Sequence, residues 1–125
     1  MLESTRLIPI YTTRGDVGGF LQYPHLFNPQ GEWIGWVTQD QEVFSVRGSY
    51  VGRITKEPRI LREREFRSDQ RRLVPPDPPV AIRPPARVPL APLMAEIAQN
   101  LIDVLDEAPD MLPPMGFDLL QDDMD

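Results

Sequence analysis

Residues 10–54 contain one twelve-residue pattern three times: IYTTRGDVGGFL (residues 10–21), LFNPQGEWIGWV (26–37) and VFSVRGSYVGRI (43–54). Each copy begins with an aliphatic and an aromatic residue, continues to an Arg-Gly or Gln-Gly pair, and has a second Gly four residues later. Self-similarity at a nearly fixed period indicates that each copy forms one supersecondary unit. The sequence therefore predicts that residues 8–64 form one all-β repeat domain.

The first Gly of each copy ends a predicted hairpin turn. These turn glycines are Gly15, Gly31 and Gly48. Residues 28–31, Asn-Pro-Gln-Gly, have the composition of a type I turn, and such a turn followed by a left-handed Gly makes a common three-residue hairpin. We predict a structural role for these glycines, because no helix follows that would complete a phosphate-binding loop.

The second Gly of each copy falls within a predicted strand. These strand glycines are Gly19, Gly35 and Gly52. A Gly inside a strand usually marks the close approach of another backbone, so three in register predict hairpins crowded around a common centre. Strict alternation places Trp33 and Val37 on one face, and leaves Trp36 and Phe20 on the opposite face as an exposed or oligomer-burying patch.

A fourth copy is due at residue 60, where Ile60-Leu61 is followed by charged residues and no Gly. We expect this fourth unit to be degenerate and reduced to a lone closing strand.

These motifs resemble the bacterial 4-fold beta flower family, which consists of small domains of four similar β units around a pseudo-fourfold axis. The resemblance rests on Gly-x-x-aliphatic-Gly motifs in which Ile34 and Val51 supply the aliphatic residue, and on Phe27 and Phe44 before the turns. Gly18 replaces the aliphatic residue in the first copy. The resemblance implies a fold and no activity. A PRC-barrel-like module uses similar hairpins, but it would need further strands that the Pro-rich second half does not provide.

The chain has 125 residues, a length that predicts one domain, and a net charge of −6. Its acidic and basic residues are segregated along the sequence. The absence of Cys excludes disulfides and thiolate metal sites, and we expect a cytoplasmic protein because neither a secretory signal nor a membrane-spanning run is visible. Residues 53–72 hold eight basic and four acidic residues, whereas residues 91–125 hold nine acids and no base. Such asymmetry indicates interaction surfaces.

The second half divides into three predicted segments after a β domain at residues 1–72. Residues 73–91 are rich in Pro, which predicts a semi-rigid linker that a proline-reading groove could also bind. Residues 92–108 have an apolar stripe at helical spacing, which predicts an amphipathic helix. Residues 109–125 form an acidic tail. The partner-binding candidates in these segments are Met94, Ile97, Leu101, Leu105, Phe117, Leu119 and Leu120.

The sequence indicates no catalytic centre, metal site or cofactor, because His25 is the only imidazole and no nucleophilic arrangement surrounds it. We therefore predict a non-catalytic interaction or assembly protein whose helix and tail dock on a protein partner or on a second copy. One alternative is a nucleic-acid-associated factor that uses residues 53–72, although their interleaved acids oppose it. Another is a small ligand-binding or hydrolytic module at the pseudo-axis. The tail has its own alternative, which is to fold back on residues 59–72 of its own chain or of a neighbouring copy.

Overall fold

The computed structural model describes residues 6–65 and 71–115. It consists mainly of eight antiparallel strands, each hydrogen-bonded to the next in chain order. The strands are β1 (Ile8–Tyr11), β2 (Val17–Gln22), β3 (His25–Phe27), β4 (Trp33–Val37), β5 (Glu42–Ser45), β6 (Tyr50–Ile54), β7 (Ile60–Glu63) and β8 (Leu101–Asp103). One short helix, α1 (Val104–Glu107), and a 3-10 turn (Pro109–Met111) follow the sheet. The prediction of a mainly β fold built from hairpins is confirmed.

Successive strand pairs form four units, β1/β2, β3/β4, β5/β6 and β7/β8. In units 1 to 3 the turn glycine donates its N–H to the carbonyl three residues earlier, at 2.9 Å each time. The turn glycines have φ of +90°, +89° and +89°, which is left-handed backbone that favours Gly. The pairing register shifts once inside each of these hairpins. Turn and bulge together reproduce the same unit three times.

The fourth unit is complete, so the prediction of a lone closing strand is wrong. Its first strand is β7, and its second strand, β8, comes from beyond residue 100. The partner was not visible locally because residues 64–100 lie between the two strands. Pairing with β8 satisfies the backbone of β7, which would otherwise be an open sheet edge.

Unit 4 also contacts unit 1, so the sheet curls round on itself. Tyr11 in β1 donates its N–H to the Pro58 carbonyl at 3.0 Å. Asp103 in β8 accepts hydrogen bonds from the N–H and the hydroxyl of Thr13, both at 2.6 Å, through its Oδ2. Arg59 donates to the same Thr13 hydroxyl at 3.0 Å. We call Thr13, Arg59 and Asp103 the closure network.

The inner core is aliphatic and repeats with the sequence. The residue that begins each copy, namely Ile10, Leu26, Val43 and Ile60, is at most 1% exposed, and all four belong to one buried cluster. These equivalent side chains therefore pack together in one hydrophobic core.

The prediction that Trp36 and Phe20 form an exposed or oligomer-burying patch is wrong. Phe20 and Trp33 belong to a second buried cluster, and Trp36 packs against it. Ile34 and Val37 lie in the inner core instead. The register shift in the hairpin of unit 2 explains the difference, since one extra residue reverses the alternation of faces that strict period-two reasoning assumes.

The Pro-rich segment lies along the sheet instead of separating two parts of the chain. We call residues 71–98 the belt. Leu73 donates its N–H to the Gly48 carbonyl at 2.9 Å, and Ile82 donates to the Gly31 carbonyl at 3.0 Å. Ala91 lies over Gly15, where its Cβ is 3.9 Å from the position of a Gly15 Cβ. The belt thus contacts the turns of units 3, 2 and 1 at intervals of nine residues, and the chain then enters β8.

The predicted helix over residues 92–108 is wrong except at its end, where α1 forms. Within this range the structure has no regular element before residue 99, then a turn, β8 and α1. Leu101 pairs with Glu63 of β7. Tertiary contacts override local helix propensity here, because three of these residues satisfy the free edge of β7 and because short helices are marginal in isolation.

Residues 109–115, which begin the predicted acidic tail, are among the described residues. Met115 donates its N–H to the Trp33 carbonyl at 3.2 Å. Phe117, Leu119 and Leu120 lie outside the described residues. Over residues 6–65 and 71–115, no helix is long and apolar enough to cross a membrane.

Candidate functional site

The fold presents three candidate surfaces: two clefts beside the core and the outer face of the belt. The first cleft, of about 590 Å³, lies between the turns of units 1 and 2 and the C-terminal residues. Its floor is apolar, with Ile34, Leu105 and Leu112 among its lining residues, and its carboxylates are Asp16, Asp106 and Asp110. One of these is already engaged, since Arg14 Nε lies 3.2 Å from Asp106 Oδ1. We call it the acidic cleft.

Leu105 in the acidic cleft explains why the first copy departs from the family pattern. A Cβ on Gly18 would lie 2.8 Å from Leu105 Cδ1 and 3.0 Å from its Cβ. Units 2 and 3 have Ile34 and Val51 at the corresponding place, both in the inner core. The α1 helix therefore supplies to unit 1 the aliphatic group that Gly18 lacks, and Gly18 leaves room for it.

The second cleft, of about 440 Å³, lies between units 3 and 4. We call it the arginine cleft. Its apolar lining residues are Ile54, Leu61 and Leu101, with Tyr50 beside them. Its charged residues are Arg53, Arg62, Arg71, Glu42 and Glu63. Three guanidinium groups therefore face two carboxylates across one small opening, which leaves a net positive charge.

Glu42 organises the mouth of the arginine cleft. Arg71 binds its carboxylate in a bidentate manner, with Nη1–Oε2 and Nη2–Oε1 distances of 2.5 and 2.8 Å, and Arg53 Nη1 lies 3.7 Å from Oε2. The hydrogen bonds from Arg71 lower the pKa of Glu42 and raise the pKa of Arg71. The Arg71 guanidinium also lies 4.9 Å from the centroid of the Tyr50 ring. Glu42 therefore stays ionised at neutral pH and fixes Arg71 over the aromatic ring.

Deeper in the arginine cleft, burial dominates the electrostatics. Arg62 is 7% exposed, and its Nη1 lies 3.0 Å from the sulfur of Met111. Burial lowers the pKa of Arg62 and raises the pKa of Tyr50. Arg62 remains charged nonetheless, because an arginine pKa starts far above neutrality. A charged group on the wall of a partly apolar cleft is the arrangement that orients a ligand with an anionic end.

The outer face of the belt is apolar at several positions. Val74, Val80, Leu90 and Leu93 are 87–98% exposed. On its inner side, Ile82 and Val88 pack against the second buried cluster, and the Tyr11 hydroxyl donates to the Pro89 carbonyl at 2.7 Å. The belt is thus held at its inner side while large apolar groups point outward.

The residues that were predicted to bind a partner from one helix lie in different elements of the structure. Met94 and Ile97 are half-buried near the end of the belt. Leu101 lies in β8 and lines the arginine cleft, whereas Leu105 lies in α1 and packs on the inner core. The apolar stripe therefore serves mainly the fold of this chain.

Five of the six glycines named from the sequence fall into two kinds of contact, and Gly15 has only Ala91 Cβ at 3.9 Å. A Cβ at each strand glycine would overlap a carbonyl oxygen of the next unit, which belongs to Phe27, Phe44 or Leu61. A Cβ at Gly31 or Gly48 would overlap the carbonyl oxygen of Ile82 or Leu73 in the belt. These positions therefore hold backbone against backbone.

His25 packs against Trp33 of the second buried cluster. Its ring packs edge-on against Trp33, with centroids 5.9 Å apart, and burial lowers its pKa. Among residues 6–65 and 71–115, no three His, Asp or Glu side chains are grouped so as to hold a metal ion.

Sequence reasoning missed the belt surface, although a signal for it was present. LVPP (residues 73–76) and IRPP (82–85) begin nine residues apart, and each places an aliphatic residue two positions before a Pro. Pro75 Cδ and Pro84 Cδ lie 3.5 and 3.2 Å from the Cβ positions of Gly48 and Gly31. This second, shorter repeat would have predicted a segment that contacts successive turns at a fixed interval.

The repeated unit, the four-unit order and the aliphatic centre define a class of small β-flower domains. The 4-fold beta flower protein family matches residues 8–99, well over half of the chain, and the chain belongs to this family. The matched range includes the belt. No curated protein and no solved structure matches the chain. The family description names a fold and no activity.

Proposed function

We propose that the protein is a non-catalytic interaction and assembly module that captures a protein partner, or a second copy, along the outer face of its belt. The observation that carries this proposal is the set of nearly fully exposed apolar side chains, Val74, Val80, Leu90 and Leu93. Single exposed apolar residues are common on protein surfaces. Four of them along one extended segment are anchors of the kind by which such segments bind partner surfaces.

The attachment of the belt supports the same proposal. Hydrogen bonds from Leu73 and Ile82 to turn carbonyls hold the segment against the domain. A segment that is already ordered loses less conformational entropy when it binds, so more of the contact energy appears as affinity. Burying one large apolar side chain is worth roughly 1.5–3 kcal/mol, and several on one belt suffice for a specific contact.

The chemistry of the belt indicates the kind of groove that would bind it. Pro78, Pro85 and Pro89 are exposed beside the apolar side chains. Pro-rich extended segments are bound by grooves lined with aromatic residues, which read side chains at fixed spacing along the segment. The proposed partner surface is therefore a shallow apolar groove.

The nucleic-acid alternative has less support, because acidic side chains oppose several arginines of residues 53–72. Arg59 lies 3.4 Å from Glu57, and Arg71 binds Glu42. Nucleic-acid binding depends on unopposed positive charge that displaces counterions. A salt-dependent mobility shift with DNA or RNA would favour that alternative instead.

The test compares two full-length triple variants. Val80→Ser, Leu90→Ser and Leu93→Ser together should abolish partner capture or self-association, measured by affinity capture and sedimentation, and should leave the melting temperature nearly unchanged. The matched control changes the exposed alanines 81, 86 and 95 to Ser. Equal capture and equal sedimentation of both variants and the wild type would overturn the proposal.

A further inference from the structure

The arginine cleft has a charge and an apolar lining that complement the composition of another part of the same chain. We propose that this cleft binds residues 116–125, the later part of the acidic tail, of its own chain. The inference does not rest on the belt proposal, because it concerns a different surface.

Charge is the first argument. The cleft holds three guanidinium groups against two carboxylates; Arg71 and Arg53 share the Glu42 carboxylate, so the lining keeps one net positive charge. Residues 116–125 hold four Asp residues and no basic residue. Opposite charges on a partly buried surface attract more strongly than exposed pairs do, because the protein side screens them less.

Apolar complementarity is the second argument. Ile54, Leu61 and Leu101 line one part of the cleft beside the guanidinium groups. In the tail, Leu119 and Leu120 precede the acids Asp122, Asp123 and Asp125. The cleft volume of about 440 Å³ lies within the range of pockets that bind small ligands or a few side chains.

The path of the chain is the third argument. Met111 contacts Arg62 in the cleft wall at 3.0 Å, so the segment that leads to the tail already passes the edge of the cleft. Met115 is attached to Trp33. From Met115, an extended chain reaches up to about 17 Å at Leu120 and about 35 Å at Asp125. A globular domain of this size has a radius of gyration of about 13 Å, so the chain beyond Met115 is long enough to extend across much of the domain.

The experiment uses the full chain, which contains no Cys, so that a single introduced thiol carries a spin label at one site. Gln121→Cys places the label in the tail and keeps every tail charge. At low salt the label should broaden the backbone amide signals of Arg53, Leu61 and Leu101. Broadening that is absent from these amides overturns the proposal.

Two sets of variants assign the cause of the broadening. Converting Asp122, Asp123 and Asp125 to Asn, or converting Leu119 and Leu120 to Ser, should remove it. Arg53→Gln should weaken it, whereas Arg87→Gln on the exposed belt is the matched control and should leave it unchanged. About 1 M salt, which shortens the screening length to about 3 Å, should also weaken it. Broadening that survives all of these changes would overturn the proposed contacts.

A mixed sample decides which tail occupies the cleft. Isotope-labelled protein without the spin label is combined with spin-labelled protein at natural isotope abundance, so only contacts between two chains cause broadening. We expect none. Broadening of the cleft amides in the mixed sample would overturn the same-chain assignment and would show that the tail of a second copy binds there.

Discussion

The turn glycines Gly15 and Gly31 have the same backbone conformation and different surroundings. Both have φ near +90°. At Gly31 a side chain would overlap the Ile82 carbonyl of the belt, whereas at Gly15 the nearest belt atom is 3.9 Å away. A side chain would therefore have the same backbone conformational cost at both positions, but only at Gly31 would it also overlap the belt.

This pair of glycines gives a matched prediction. Gly15→Ala should destabilise the protein by about 1 kcal/mol, because an L-residue must adopt left-handed backbone. Gly31→Ala should cost about 1–2 kcal/mol more, because the belt must move and lose its hydrogen bond there. Urea unfolding of the two variants measures the difference. Equal free energies of unfolding would mean that the belt contact at Gly31 contributes nothing to stability.

The hairpin turns are the features that the sequence predicts best. The composition of residues 28–31 specifies a turn through local chemistry, so hairpins follow from the sequence alone. The faces of Trp33 and Trp36 did not follow, because one bulge residue reverses the alternation and no local signal fixes where the bulge lies. The sequence shows that Gly18 departs from the repeat pattern, but the cause is Leu105, which is distant in sequence.

Among the elements, the belt is attached at its start by an ion pair with a definite pH dependence. Hydrogen bonds from Arg71 lower the pKa of Glu42 below its ordinary value of 4.5. A carboxyl group whose pKa is lower in the folded state contributes stability above its unfolded pKa, and loses that contribution as the pH falls through the folded value. The attachment should therefore weaken below about pH 4.5.

Acidification tests this attachment at the start of the belt. Between pH 6 and pH 3, the Leu73 amide, which donates to Gly48 at 2.9 Å, should lose protection from hydrogen exchange. Glu42→Gln should show low protection at both pH values, since it cannot form the ion pair. Glu96→Gln, at an exposed belt position, should behave as the wild type does. Identical pH profiles for the wild type and Glu42→Gln would contradict the role of the pair.

Element type in the second half could not be predicted from periodicity. The residues of the predicted apolar stripe are buried or half-buried, but they lie in the belt, β8 and α1 in succession. Spacing of three and four residues indicates which residues are buried more reliably than it indicates the backbone that buries them. The strand partner of β7 was invisible for a different reason, since Leu61 and Asp103 meet only across residues 64–100.

For the whole molecule, the closure network joins the first unit to the last. Asp103 is 1% exposed and Arg59 is 3% exposed, and Thr13 lies between them. Buried polar groups that lose a partner retain their desolvation cost. Asp103→Ala should therefore lower the free energy of unfolding by about 2–4 kcal/mol.

Equilibrium denaturation with a double-mutant cycle measures this coupling. Thr13→Val should also destabilise the protein, and the double variant should be less destabilised than the sum of the two single variants, because both remove the same contact. Asp110→Ala, at an exposed position of the 3-10 turn, is the control. Additive effects of Thr13→Val and Asp103→Ala would show that the two units close independently of this network.

The late position of β8 imposes an order of events on synthesis. Units 1 to 3 each consist of neighbouring residues, so each hairpin can form as soon as it leaves the ribosome. The fourth unit waits until residue 103 has emerged, because its second strand follows the belt. Until then the nascent chain carries an unpaired β7 edge, and Thr13 lacks its Asp103 partner. The final strand therefore acts as a completion signal: only a chain translated through Asp103 closes its ring, and chains that terminate earlier retain an open edge that invites aggregation or degradation.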